Sequence, residues 1–397
     1  MATLLDTCQP DALACLRRAL ARNRLPHGLV FASPGDVGET ELARLLAQYL
    51  LCARPATPLD PCGECSECRM VLHGDHPDVH EVRPKGLLRA IKTDDMLGLI
   101  QALQQTSLSG GAKVGIVHQA ESLRKESANR FLKTLEEPMP GTYFVLVTTR
   151  PERLLPTIRS RCQTIRLKPI EAGALRARAE RELGLAGGDL ALVAAVARGR
   201  WNRAARLAPQ VREYRDSVSL LSAVLAARGT AAAPAVDFGK SIASGLKARR
   251  LAFEEECKGE LSAKGRELAD VEPGVRREVL DALEDELKSA QAATERDAKA
   301  GLFESLADVW RDVWVYKLTG SAGRLLHPFL EPAIKSLAAA YTEHEIIRNI
   351  ADIDLVRGPT VYLNARMDMV LQGLLSQATM PLEPLAPLRR AIMATGL

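Results

Sequence analysis

The first 168 residues alternate short apolar runs with stretches of helical periodicity. Apolar runs at 28–32 and 113–117 predict buried strands, two more strands are predicted at 143–148 and 164–167, and 79–82 is a candidate for a further short strand. Apolar residues spaced by three or four positions predict helices over 11–22, 40–51 and 91–104. A further helix ends near Glu137, because Pro138 cannot continue it. Strands that alternate with helices predict a parallel β-sheet covered by helices, which is an α/β fold.

The pattern changes after Pro169, where helical spacing replaces the alternation. Residues 169–209 have the spacing of a small helical domain, and the remaining chain predicts a larger all-α domain. Residues 240–300 are rich in Lys, Arg, Glu and Asp, with apolar residues at helical spacing, and a Glu-Pro-Gly sequence interrupts them at 272–274. We read this stretch as a charged helical hairpin. The predicted domains are therefore 1–168, 169–209 and 210–397.

Composition places the chain among ordinary globular proteins. Of its 397 residues 47% are hydrophobic and 26% are charged, and the net charge of +4 permits contact with nucleic acid without arguing for it. The N-terminal residues do not have the order of a signal peptide. The apolar run at 191–197 is far shorter than the roughly 20 residues of a membrane-spanning helix. We therefore expect a cytoplasmic protein without membrane contact.

A degenerate phosphate-binding loop follows the first predicted strand. A working P-loop reads G-x-x-x-x-G-K-[ST], and its lysine meets the β- and γ-phosphates. The segment here contributes Ser33, Gly35, Gly38, Glu39 and Thr40. Because Glu39 replaces the lysine, it would repel a phosphate about 4 Å away by about 4 kcal/mol at a surface-like dielectric. Two alternatives stay open: an ordinary strand-to-helix turn, and a helix start that still holds an anion.

The second ATPase motif is also incomplete. A working Walker B segment ends an apolar strand with two acids, one for Mg²⁺ and one that orients the attacking water. After the strand at 113–117 this chain has His118 and Gln119, and Glu121 should point elsewhere. Because the lysine and both acids are missing together, we do not expect this chain to hydrolyse ATP with Mg²⁺.

Four of the eight cysteines are clustered. They are Cys52, Cys62, Cys65 and Cys68, in a segment rich in Pro and Gly. Four thiolates suit tetrahedral Zn²⁺ in a closed, structural site, so 52–68 is predicted to be a zinc module. An iron–sulfur cluster and free thiols remain as alternatives. The nearby His73, His76 and His80 are interpreted as surface or core histidines, not as ligands.

Several short motifs occur together, in one order, between residues 9 and 168. Besides the cysteine cluster, they are Leu-Pro-His-Gly at 25–28, His-Pro-Asp at 76–78, Leu-Lys-Thr-Leu-Glu-Glu-Pro at 132–138 and Ser-Arg-Cys at 160–162. This set resembles the clamp-loader subunits of bacterial DNA polymerase III. The resemblance implies an AAA+ core, a small helical lid domain and an all-α collar domain that joins five subunits in a ring.

Within that family the missing lysine and acids resemble the delta-prime class, because the gamma and tau motor subunits keep them. The resemblance then implies that Arg161, in Ser-Arg-Cys, projects into the ATP site of a neighbouring subunit. An arginine suits this role because its guanidinium is always charged and binds phosphate oxygens bidentately. The implied partners are gamma or tau, the delta subunit, the sliding clamp indirectly, and primer-template DNA through the assembled complex. A surface salt bridge is the alternative interpretation of Arg161.

The sequence thus predicts a binding and scaffolding subunit that hydrolyses no ATP itself. Two other functions remain open. One is a divergent ATP-hydrolysing motor subunit of the gamma or tau type. The other is a zinc-stabilised DNA-binding module outside a loader, against which the mild charge and the absence of a basic, aromatic-rich stripe both count.

Overall fold

A computed structural model describes residues 5–6, 8–84, 90–107, 111–226, 233–269, 272–362 and 366–379. The chain divides into two compact units, Met1–Pro209 and Gln210–Leu397. None of the described helices is both long and apolar enough to cross a membrane.

The first unit is built on a five-stranded sheet. Its strands are β1 Gly28–Ala32, β2 Val79–Val82, β3 Lys113–Val117, β4 Thr142–Thr148 and β5 Gln163–Arg166. They lie in the order β2-β3-β4-β1-β5, and every neighbouring pair is parallel. The three central strands are buried nearly throughout, which explains why they are continuous apolar runs. The predicted parallel sheet is confirmed.

Helices cover this sheet and connect its strands. They are α1 Pro10–Ala21, α2 Glu39–Leu51, α3 Ser66–His73, α4 Thr93–Gln104, α5 Lys125–Glu136 and α6 Pro156–Arg159. Helix α4 approaches β3 closely, because a Cβ added at Gly115 would lie 2.7 Å from a methyl carbon of Leu103. Lys113 is buried beside it, and its ammonium donates to the backbone carbonyls of Leu103 and Gln105 at the end of α4. The buried charge is therefore matched by the negative end of a helix.

Three helices complete the first unit, α7 Ala172–Leu183, α8 Gly187–Ala197 and α9 Trp201–Leu207. Between α8 and α9 the chain approaches the end of the sheet at Gly199, which has φ +75°. A Cβ at Gly199 would lie 2.7 Å from the carbonyl oxygen of Ile170, so only glycine fits. The segment is helical as predicted, while its separation from the core at residue 168 stays a prediction.

The described residues of the second unit form helices joined by short turns, with no strand among them. Its helices are α10 Val211–Ala226, α11 Ala233–Glu267, α12 Pro273–Thr319, α13 Glu331–Ala340, α14 Glu343–Tyr362 and α15 Met367–Thr379. Helices α11 and α12 form the predicted charged hairpin. The second arm begins at Pro273, because proline is well suited to the first position of a helix. The core of the unit is apolar, with Trp310 packed edge-on against Tyr341 at 5.0 Å.

A buried polar cluster holds the chain that follows α12. The Asp312 carboxylate accepts hydrogen bonds from the backbone N–H groups of Leu326 and His327 and lies 2.9 Å from His327 Nδ1. The other ring nitrogen of His327 lies 2.9 Å from the Tyr214 hydroxyl. Burial would raise the pKa of Asp312, but the hydrogen bonds from His327 and Leu326 outweigh it and lower that pKa.

Candidate functional site

The degenerate P-loop joins β1 to α2 through several residues with positive φ. They are Gly35 at +88°, Asp36 at +61° and Gly38 at +101°. Ser33 is buried, and its hydroxyl accepts from the N–H of Gly35 at 3.1 Å. Thr40 is the second residue of α2 and is partly buried. Positive φ at several nearby residues is typical of loops whose backbone N–H groups turn toward an anion.

The side chain of Glu39 turns back onto this loop. One of its carboxylate oxygens accepts from the N–H of Asp36 and the other from the N–H of Val37, both at 2.9 Å. In a working P-loop such N–H groups cradle phosphate oxygens. Sequence reasoning foresaw only that Glu39 would repel a phosphate. The structure adds that its carboxylate already accepts from the loop.

The helices after the sheet also bond to the loop. The N–H of Trp201 donates to the carbonyl of Asp36 at 2.7 Å, and the Asn202 amide donates to the Asp36 carboxylate at 2.8 Å. On the other side, the buried Gln9 amide donates to the carbonyls of Val37 at 3.0 Å and Lys168 at 2.7 Å. The loop is therefore held from two directions by the protein itself.

An ionic cluster stands at the end of β3, where an ATPase has its acid pair. His118 is buried, and its Nε2 lies 3.0 Å from the Glu81 carboxylate. The guanidinium of Arg44 donates to both oxygens of Glu81, at 2.7 and 3.1 Å. Burial would raise the pKa of Glu81, but the hydrogen bonds from His118 and Arg44 outweigh it and hold that pKa well below its usual range. The end of β3 thus carries a bonded group of one acid, one arginine and one histidine.

The remaining acid of the second motif, Glu121, bonds to the residue that follows β4. One oxygen of Glu121 accepts from the hydroxyl of Thr149 at 2.7 Å and from its N–H at 3.3 Å. Gln119 precedes it in the left-handed region, with φ +48°.

The four clustered cysteines come together, as the zinc prediction requires. The sulfur atoms of Cys52, Cys62, Cys65 and Cys68 all lie within 4.8 Å of one another. In a tetrahedral site with Zn–S bonds of about 2.3 Å, the sulfurs stand about 3.8 Å apart, so this set fits after a small contraction. Cys52 follows α2, while Cys68 is in the first turn of α3. A metal would therefore tie α3 and its loop to the end of α2.

Backbone N–H groups surround the sulfurs. The N–H of Cys65 donates to Cys62 Sγ, and the N–H of Cys68 donates to Cys65 Sγ, both at 3.4 Å. The hydrogen bonds from Glu64 and Cys65 lower the pKa of the Cys62 thiol to about 6. His76 lies outside the set and is paired through Nε2 with the Glu67 carboxylate at 2.8 Å. The donor set is thus purely thiolate, which suits Zn²⁺ and does not exclude an iron–sulfur cluster.

Arg161 is partly exposed at the turn between α6 and β5. Its Nη2 lies 2.5 Å from the Glu136 carboxylate, and its Nη1 donates to the carbonyl of Thr157 at 3.0 Å. The side chain is 36% exposed, so the guanidinium is reachable from solvent. Within its own chain it is engaged in an ion pair, as the alternative interpretation supposed. That pairing does not prevent an additional contact across an interface.

Three of the short motifs meet at the start of β1. The ring of His27 bonds through Nε2 to the carbonyl of Leu135 at 3.0 Å. A Cβ added at Gly28 would lie 2.9 Å from Cys162 Sγ and 3.2 Å from the carbonyl oxygen of Arg161. The pKa of the Cys162 thiol is raised to about 11 by burial, so this cysteine is a packing residue. The motifs are therefore parts of one packed corner beneath Arg161.

Sequence reasoning missed Glu81, Arg44, Asn202 and Glu136. All four act through tertiary contacts, and none stands in a motif position for a catalytic role. Strand register places Glu81 beside Ile116, two residues before His118, but that register was not available from the sequence. For Glu136 a signal existed, because it belongs to the Leu-Lys-Thr-Leu-Glu-Glu-Pro motif.

Comparisons with known proteins place the first unit. Residues 8–171 match the family described as "DNA polymerase III, delta subunit". The chain is similar to DNA polymerase III subunit delta' of Bacillus subtilis (strain 168), at 34% identity over 44% of this chain and 52% of the relative. The delta' subunit of Escherichia coli (strain K12) is 37% identical over 36% of this chain and 42% of the relative.

Relatives named as tau subunits match over a similar number of residues. Subunit tau of Escherichia coli (strain K12) is 34% identical over 42% of this chain and 26% of the relative. A solved gamma subunit-related protein of Thermotoga maritima covers 93% of this chain and 99% of its own, at 17% identity and a TM-score of 0.43. The chain spans about half, or less, of the length of the curated relatives it matches. Its fold is a parallel five-stranded sheet covered by helices, followed by a helical C-terminal region, and residues 8–171 match the family model of a DNA polymerase III subunit.

Proposed function

We propose that this chain is a delta-prime-type subunit of a clamp loader, that it hydrolyses no ATP, and that it supplies Arg161 to a neighbouring ATPase subunit. Its partners would be gamma- or tau-type motor subunits and a delta-type subunit. The sliding clamp and primer-template DNA would be reached through the assembled complex. Residues 169–209 would serve as the lid domain and residues 210–397 as the collar domain that joins the ring.

One observation carries the non-hydrolysing part of this proposal. The carboxylate of Glu39 accepts the hydrogen bonds of Asp36 and Val37 N–H, which a phosphate would otherwise accept. A nucleotide would have to displace this carboxylate and then remain beside its negative charge. His118 and its Glu81 partner add support, because the end of β3 offers an engaged ion cluster in place of two free acids.

Arg161 has the properties that a trans-acting arginine needs. It is partly exposed, and it stands on a corner fixed by the contacts of Gly28 with Cys162 and of His27 with Leu135. An arginine supplied in trans accelerates phosphoryl transfer by about 10³ to 10⁵ because its charge stabilises the transition state. A subunit that hydrolyses no ATP itself can therefore still control ATP hydrolysis by its neighbour.

The cysteine cluster would hold a structural Zn²⁺ through Cys52, Cys62, Cys65 and Cys68. When bound, zinc would supply a cross-link between the end of α2 and the start of α3, and all four positions would be filled by protein ligands. With four cysteine ligands the zinc ion would have no free coordination position for a water or substrate, so its role would be structural.

The deciding experiment is ATP turnover of the reconstituted loader, stimulated by DNA and clamp, with the wild-type chain and with Arg161→Ala. We expect turnover at the neighbouring site to fall by about 10³ or more in the variant, and the isolated wild-type chain to turn over no ATP. Arg159→Ala, on the same turn, is the matched control and should leave turnover unchanged. Equal turnover of the Arg161→Ala and wild-type loaders would remove Arg161 from the mechanism. Turnover by the lone chain would favour a motor subunit.

A further inference from the structure

The guanidinium of Arg161 is held by groups from two different segments. Nη2 pairs with the Glu136 carboxylate at 2.5 Å, while Nη1 donates to the Thr157 carbonyl at 3.0 Å and to the Ser160 hydroxyl at 3.4 Å. These contacts use three of the five N–H donors of a guanidinium. No hydrogen bond among the described residues uses the other two donors, so they can bond to an oxygen outside the chain.

Glu136 itself is fixed by the backbone around it. It is the last residue of α5, and its neighbour Leu135 is buried and accepts a hydrogen bond from His27. Arg161 is fixed in the same way, because the next residue, Cys162, packs against Gly28. His27 and Gly28 are consecutive residues at the start of β1. The carboxylate and the guanidinium are therefore anchored to the same point of the sheet.

This ion pair contributes more to orientation than to stability. The side chains of Glu136 and Arg161 are 48% and 36% exposed, and exposed pairs stabilise a fold little. A long side chain with several rotatable bonds, however, loses much of its freedom when both terminal nitrogens are bonded. An arginine that is already oriented has less to lose when it meets a phosphate.

We propose that Glu136 is a positioning residue for Arg161: its carboxylate holds the guanidinium so that the two remaining donors face the neighbouring subunit. This inference rests on the proposed trans role of Arg161. The carboxylate does not touch the nucleotide and acts only through the arginine. Its loss should therefore lower the maximal rate of ATP hydrolysis and leave nucleotide binding by the neighbour nearly unchanged.

The test is a double-mutant cycle in the complete reconstituted loader. Glu136→Ala should lower kcat by about 10- to 100-fold, as expected for a misplaced catalytic group, with KM for ATP changed less than about threefold. Glu136→Gln, which keeps an acceptor oxygen, should lie between Glu136→Ala and wild type. Glu137→Ala, the adjacent exposed acid, is the matched control and should behave as wild type. In the Arg161→Ala background, Glu136→Ala should have no further effect, because residues that act through one contact are not additive.

Each outcome separates this inference from the proposed function. If Arg161→Ala lowers kcat but Glu136→Ala does not, or if the two losses multiply, Glu136 does not position the arginine and only this inference is overturned. An increase in kcat for Glu136→Ala would also overturn it, because the carboxylate would then be a competitor for the guanidinium. No loss with Arg161→Ala would overturn the proposed function itself. Equal thermal unfolding of the variant chains would show that folding is not the cause of any loss.

Discussion

At the scale of single residues, the carboxylate of Glu39 shows how a charged side chain takes its position from the nearest hydrogen-bond donors. Glu39 stands where a lysine would bind a phosphate, and as the first residue of α2 it lies at the positive end of a helix dipole. It turns back and accepts from two N–H groups of its own loop. A glutamate at this position therefore lacks the positive charge that would bind a phosphate, and its own carboxylate accepts the N–H groups that a phosphate would accept.

Replacing this carboxylate should weaken the loop and expose its N–H groups. Glu39→Ala should lower the free energy of unfolding by about 1–2 kcal/mol, the usual contribution of a carboxylate that bonds to backbone N–H at a helix start. Urea unfolding of the variant and wild type measures this. Glu41→Ala, in the same turn of α2, is the matched control.

The emptied loop should also gain affinity for an anion. Inorganic phosphate at ten times its dissociation constant should then stabilise the Glu39→Ala chain by about 1.4 kcal/mol, while the wild-type chain responds only as it does to sodium chloride of equal ionic strength. An equal response of the two chains to phosphate would contradict the idea that Glu39 fills the loop.

At the scale of elements, the sequence predicted the strands and helices that can be recognised from neighbouring residues alone. The strands at 28–32, 79–82 and 113–117 have the predicted bounds. For 28–32 and 113–117 the reason is that a strand buried on both faces is apolar along most of its length. The two arms of the hairpin were predicted from the break at 272–274. The pairing of Glu81 with His118 and of Asn202 with Asp36 could not be predicted, because each depends on register or on the approach of elements distant in sequence.

The cysteine module is an element whose order should depend on a metal. Short helices such as α3, with eight residues, have little stability of their own. We expect the purified chain to carry one zinc ion per molecule by elemental analysis, and removal by a strong chelator to lower its melting temperature. Cys65→Ser should have the same effect, while Cys257→Ser, in the hairpin, is the matched control. Iron and sulfide in the purified chain, with visible absorption, would contradict zinc.

At the scale of the whole molecule, the chain is two units, and each has its own core. The first unit ends at Pro209 and contains the sheet, the cysteine cluster, the loop with Glu39 and Arg161. The second contains the charged hairpin and the buried cluster around Asp312. The sequence predicted a boundary at 209–210. It also predicted a boundary at 168, and the only basis for that prediction was the change from alternating strands and helices to helices.

The contacts of α7, α8 and α9 imply that this second boundary is not a point of independent folding. Trp201 and Asn202 bond to Asp36, and Gly199 accepts from the N–H of Ile170 at 2.9 Å. We expect residues 1–209, expressed alone, to unfold cooperatively, and residues 1–168 to be less stable by several kcal/mol, because hydrogen bonds and buried surface are lost. Circular dichroism during thermal unfolding compares the two. Equal melting temperatures would contradict a structural role for these helices.

The loop with its own carboxylate has a consequence for regulation. A motor subunit changes its shape as it exchanges ATP for ADP, so its behaviour follows the energy state of the cell. Under the proposed function, Glu39 would take the place of the nucleotide in this chain, as a group that is covalently attached and therefore present at a constant, very high effective concentration. The geometry of the unit should then be the same in a starved cell and in a growing one.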